Sequence, residues 1–135
     1  MKILIFFIYI LILPNYSFAD VINVDNLKII KLIDKGTPII DIRRADEWSQ
    51  TGVIPGSHLL TFFDKQGNYN KEKWLSNLGS IIKNNMSVII ICRSGRRSGI
   101  VSKLLDEGAN YSNVYNASGG ILSWINSNNK TVKPN

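Results

Sequence analysis

Residues 88–91 constrain the fold more than any other stretch: Val88, Ile89, Ile90 and Ile91 are all β-branched. Such side chains are stiff near the backbone and favour an extended strand over a helix. A strand that is apolar on both faces must be covered on both, which is the lot of a central strand in a parallel sheet. The next residues are polar and basic: Cys92-Arg93-Ser94-Gly95-Arg96-Arg97-Ser98. Beyond them Ile100, Val101, Leu104 and Leu105 recur at helical spacing as far as Gly108, so a helix is predicted from about Arg97 or Ser98. The unit is strand, tight loop, helix.

The remainder alternates in the same way. Leu27, Ile30 and Ile33 lie on one helical stripe, with Gly36 as a stop signal. Residues 38–42 read as a short buried strand, 45–50 as a helical turn ending near Gly52, and Pro55-Gly56 as a turn before a second short strand at 57–60. Residues 61–70 are polar with Gly67 and read as a surface loop. A helix is predicted over 71–78 with Trp74, Leu75 and Leu78 inward, then a brief strand at 113–116, and Gly119-Gly120 before a last helix at 121–125. Residues 127–135 are polar and are expected to fray. Strands alternating with helices predict an α/β fold, with one mainly parallel central sheet flanked by helices on both faces. The chain shows neither an internal repeat nor a second domain, and 44% hydrophobic residues suffice for a core.

The N-terminus reads as separate from that domain. Lys2 precedes an unbroken apolar run over residues 3–13; Pro14 and Asn15 break it, and Ser17 and Ala19 place small residues three and one before Asp20. This is the layout of a secretory signal peptide over 1–19, with cleavage after Ala19. The run is short of the about 20 apolar residues that span a bilayer. The domain is therefore expected over 20–135, with its core at about 24–126 and the tail beyond. The chain is expected to be exported, and periplasmic if bacterial; the alternative is an uncleaved anchor, the only membrane association the sequence implies.

Cys92 is the chain's only cysteine, so no internal disulfide is possible. In an oxidising compartment a lone thiol is a liability unless it works. The bland alternative is a buried, inert cysteine, and the neighbours argue against it. A tight loop between strand and helix turns backbone N–H groups inward, Gly95 permits the required backbone, and the helix N-terminus adds partial positive charge. Arg93, Ser94, Gly95, Arg96, Arg97 and Ser98 thus form an anion cradle around the sulfur. That field favours the thiolate, the nucleophilic form. The arginines would draw in an anionic donor and hold its oxygens. A formal net charge of +6 favours small anions or acidic surfaces as partners, and no nucleic-acid motif accompanies it. One Cys and one His cannot supply a zinc set, so no metal and no cofactor are expected.

These residues resemble the rhodanese family. Cys92-Arg93-Ser94-Gly95-Arg96-Arg97, with Ser98 after it, is similar to that family's active loop. Ile40-Asp41-Ile42-Arg43 with Glu47-Trp48 is similar to its aspartate–arginine–glutamate–aromatic signature, Gly52-Val53-Ile54-Pro55-Gly56-Ser57 to its turn, and Gly119-Gly120-Ile121 with Trp124 to its C-terminal motif. The resemblance runs from about Val24 to Ile125. It implies a sulfurtransferase that carries a sulfane sulfur as a Cys92 persulfide, from a thiosulfate-like anion to cyanide or a thiol, with a protein acceptor as a further option. It implies scaffold roles for Asp41, Arg43 and Glu47: Arg43 pairing with Glu47, and Asp41 holding loop N–H groups. Arg44 reads as a solvated charge. Trp48, Trp74 and Trp124 read as packing residues. Val53 stands where the family often has histidine, and the chain's one histidine, His58, reads as a surface residue.

Two rivals share the loop. Cysteine phosphatases and arsenate reductases place five residues between cysteine and arginine; from Cys92 to Arg97 there are four, and Ser98 stands where their arginine would fall. The shorter cradle suits one sulfur atom better than a phosphoryl group with its equatorial oxygens. The other rival is a sulfur carrier or regulatory binding module, which the retained cysteine disfavours in its non-chemical form.

Overall fold

The computed structural model describes residues 21–83, 85–109 and 111–135. The signal segment expected at 1–19 and its cleavage point lie outside the described residues. Five strands, β1 (Ile22–Val24), β2 (Ile39–Asp41), β3 (His58–Leu59), β4 (Val88–Ile91) and β5 (Val114–Ala117), form one sheet in the order β1-β5-β4-β2-β3. Every pairing is parallel. Five helices connect or flank them: α1 (Asn26–Asp34), α2 (Ala45–Thr51), α3 (Lys71–Ile81), α4 (Arg96–Gly108) and α5 (Gly120–Asn126). The expected α/β architecture is found, and β4 is its middle strand.

Alternation along the strands builds two cores. Ile40, Val88, Ile90 and Val114 face α3 and α4, meeting Trp74, Leu78, Val101 and Leu105. Ile39, Ile89, Ile91 and Ala117 face α1 and α5, meeting Ile29, Leu32, Ile121 and Trp124. The chain leaves β4 through α4 toward β5, and leaves β2 through α2 toward β3, on the other side. The connections diverge between β2 and β4, and at such a switch point the carboxyl ends of the strands leave a crevice. Cys92 and Asp41 both stand there.

Several expectations need correction. The buried stripe of α1 is Ile29 and Leu32, whereas Leu27 is 71% exposed. The helix starts one residue earlier than its apolar spacing implies, because Asp25 caps it by accepting the Lys28 N–H. β1, absent from the sequence reading, is a three-residue edge strand with one buried side chain, too short to show a period. Residues 61–70 are no simple surface loop. Phe62 is buried and sits 4.7–5.0 Å, centroid to centroid, from Phe63, Tyr69 and Trp74, and the Trp74 indole donates to the Leu60 carbonyl. Ile100, counted among the apolar repeat of α4, is 52% exposed, since Val101 and Leu105 take the core face. The tail does not fray: Val132 and Val53 exchange backbone hydrogen bonds of 2.9 Å in each direction, and Trp124 Nε1 donates to the Lys130 carbonyl.

Candidate active site

Cys92 follows directly on β4, and its side chain is buried at 1% exposure. Its Sγ accepts the Gly95 N–H at 3.2 Å and lies 3.2 Å from Ser98 Oγ. Gly95 has φ +94 and caps α4 without any side-chain hydrogen bond, so the first N–H groups of the helix carry no side-chain cap. A Cβ on Gly95 would run into the carbonyl of Ser118, and one on Gly120 (φ +59) into that of Arg93. The loop after β4 and the turn before α5 therefore press backbone to backbone, and glycine is required on each side. Ile121 and Leu122 then donate to the carbonyls of Cys92 and Arg93. Because a trans peptide points its C=O and N–H oppositely, the N–H groups of Arg93 and Ser94 are turned away from α5.

Arg93, Ser94 and Arg96 are exposed at the mouth of this loop, whereas Gly95 and Ser98 are buried. Arg97 departs from the expectation. Its guanidinium is bound to Glu47 through two hydrogen bonds of 2.9 and 2.6 Å. It is thus an α4–α2 tie whose charge is already met, rather than an open anion ligand. The same carboxylate accepts the Arg44 backbone N–H and lies 3.5 Å from the Arg44 guanidinium. Burial alone would push the Glu47 carboxyl up; the Arg97 hydrogen bond, the Arg44 N–H and the two cations overcome this and lower it from 4.5 to about 2. The bond to Glu47 in turn raises Arg97.

The expected Arg43–Glu47 ion pair is also absent. Arg43 is fully buried and pairs with Asp41 at 2.7 Å, its remaining donors going to Thr51 Oγ1 and to the carbonyls of Gly52 and, at 3.5 Å, Glu47. The reason is geometric: side chains two apart on an extended strand end lie on one side, so Asp41 reaches Arg43 first. Asp41 also accepts the Arg43 backbone N–H. Arg44, read as a solvated charge, is tied to Asp46 and Glu47. His58 is exposed on the edge strand, as expected. A hollow of about 260 Å³ opens between α2 and the loop, with Arg44, Glu47, Gln50 and Arg93 on its walls.

One participant escaped the sequence reading. Asn116 lies buried on β5, and its Oδ1 accepts the Ser98 hydroxyl at 2.6 Å. Its Nδ2 donates to Asn23 Oδ1 and to the Gly95 carbonyl. The signal was a lone amide at an inward position of an otherwise apolar strand, which needs a partner. Among the described residues no group of three or more His, Cys, Asp or Glu is placed to hold a metal ion.

Comparison with known proteins shows the family and the fold. Residues 26–127 match the family model described as "Rhodanese-like domain". A mitochondrial protein of Schizosaccharomyces pombe, named as a candidate thiosulfate sulfurtransferase, is 32% identical over 84% of this chain and 80% of its own length. Thiosulfate sulfurtransferase 18 of Arabidopsis thaliana is 25% identical over 78% of this chain and 79% of its own. Among solved structures, the polysulfide-sulfur transferase homodimer of Wolinella succinogenes superposes with a TM-score of 0.66 at 19% identity, covering 85% of this chain and 80% of that one. A rhodanese-related protein of Thermoplasma volcanium gives 0.62 at 22%, covering 84% and 99%.

Proposed function

Because this chain belongs to the rhodanese-like domain family, we propose that it moves a sulfane sulfur through a persulfide on Cys92. The observation that carries the reading is the Cys92 sulfur at the foot of a side-chain-uncapped helix N-terminus, with the Gly95 N–H on it. Cys92 thiolate attacks the outer sulfur of a thiosulfate-like donor. A new S–S bond forms, the donor's S–S bond breaks, and sulfite leaves with the bonding electrons. Cyanide or a thiolate then attacks the outer sulfur, and Cys92 leaves as thiolate. The N–H groups at the start of α4 stabilise the negative charge at each stage. Arg93 and Arg96, exposed at the mouth, collect the donor, while Arg97 holds the loop through Glu47. We place this chemistry outside the cytoplasm, on the strength of residues 1–19.

Incubation with thiosulfate is expected to leave the intact protein one sulfur atom heavier, the mass mapping to Cys92. Cys92→Ser should lose both the added mass and thiosulfate-to-cyanide turnover while melting like the parent. Turnover retained in that variant overturns the reading; mass gained without turnover makes the chain a sulfur carrier with the same persulfide.

A further inference from the structure

Two hollows of about 300 and 430 Å³ adjoin along the outward face of α4, sharing Ile100 as a wall. The nearer begins at Arg96 and Arg97 of the Cys92 loop and is closed by Phe63 and Lys65; the farther runs past Tyr69 and Lys103 to Glu107. Neither thiosulfate nor cyanide has any use for apolar walls, yet Ile100 stands 52% exposed here, and Tyr69, though stacked on Phe62, 56%. The charge is lopsided. Six cationic side chains and two carboxylates line the pair of hollows, with Arg44 and Arg97 already met by Asp46 and Glu47 outside their walls. Both carboxylates are spoken for: Asp64 accepts N–H groups of its own loop, and Glu107 lies 3.9 Å from Lys103. Lys65, Lys71 and Arg96 make no ion pair among the described residues.

Length decides between a small thiol and a peptide. From Arg96 to Glu107 the helix rises about 17 Å, which matches about five residues of extended chain. A small thiol would fill only the end beside the loop. We propose that this groove docks an extended, acidic, thiol-bearing segment of a sulfur-acceptor protein, with an apolar side chain against Ile100 and Tyr69 and its thiol at the Cys92 end. The inference rests on the persulfide reading. The transfer is balanced: the segment's thiolate bonds to the outer sulfur of the Cys92 persulfide, the S–S bond to Cys92 breaks, Cys92 leaves as thiolate, and the segment departs as the persulfide.

The test uses the full chain and a short labelled peptide rich in Asp and Glu, with one Leu and a terminal Ser in place of Cys, followed by fluorescence anisotropy. Lys65→Glu combined with Lys103→Glu is expected to weaken binding about tenfold or more. Lys28→Glu combined with Lys31→Glu, the same charge change on α1 across the sheet, should weaken it far less. Failure of the acidic peptide to bind the parent, or equal loss in both variants, overturns the groove. With the Cys form of the peptide and persulfide-loaded protein, the groove variant should slow transfer to the peptide and leave transfer to cyanide at the parent rate; equal slowing of both overturns the proposal. If cyanide accepts no sulfur even from the parent, the persulfide reading fails and the anisotropy result alone judges the groove.

Discussion

Glu47 serves three partners at once: the first turn of its own helix through the Arg44 N–H, the Arg44 guanidinium, and Arg97 across the loop. Its carboxyl is therefore lowered from 4.5 to about 2. The unfolded chain binds this proton more readily than the folded one, so the contribution of Glu47 to stability is complete above about pH 4.5 and is lost as pH falls toward 2. With water at the rim of the pair, a contribution of roughly 1–2 kcal/mol is expected. Denaturant unfolding across that window should show the loss in the parent, and Glu47→Gln should be less stable at neutral pH but flatter below pH 4.5. The sequence told which residues meet at this site but not how they pair. The two-residue spacing on the strand end gives Arg43 to Asp41, but no local spacing says that Glu47 then goes to Arg97. The choice falls to the distance between α2 and α4, a tertiary fact. Asn116 was hidden for a related reason: its use depends on β5 lying beside β4.

At the scale of elements, what could be read was what has a period. β4, the strand at 39–41, and helices α3 and α4 announce themselves by burial on one or both faces. Edge strand β1 and the tail do not: β1 buries only Val24, and hydrogen bonds rather than a buried stripe hold the tail. The tail crosses from α5 to the turn after α2, where Val132 bridges Val53, and on the way the Lys130 carbonyl accepts the Trp124 indole N–H. It thereby braces the residues that also receive Arg43, through the Gly52 carbonyl. Deleting residues 130–135 removes two backbone hydrogen bonds and the indole bond, and should cost about 1–3 kcal/mol, read as a lower melting temperature. Because the contacts of Cys92 with Gly95 and Ser98 and the Ile121 N–H bond to its carbonyl do not involve the tail, sulfur loading of Cys92 at low temperature should persist.

For the molecule as a whole, the prediction concerns where it is cut. Purified from its native compartment, the chain is expected to begin at Asp20 by N-terminal sequencing; a chain that still begins at Met1 in the membrane fraction would make residues 1–19 an anchor. The sheet bears on how such a chain is made. Each of its pairings is parallel, so none can form as a local hairpin. Strand β1 pairs only with β5, Ile22 opposite Tyr115, and Asn26 is tied to Ser123. Strand β1 must wait for a partner that lies more than ninety residues further along the chain. Until β5 is made, β1 has no partner strand in the sheet. A chain wired in this way completes its sheet only late in synthesis, once the strand that β1 needs has been made.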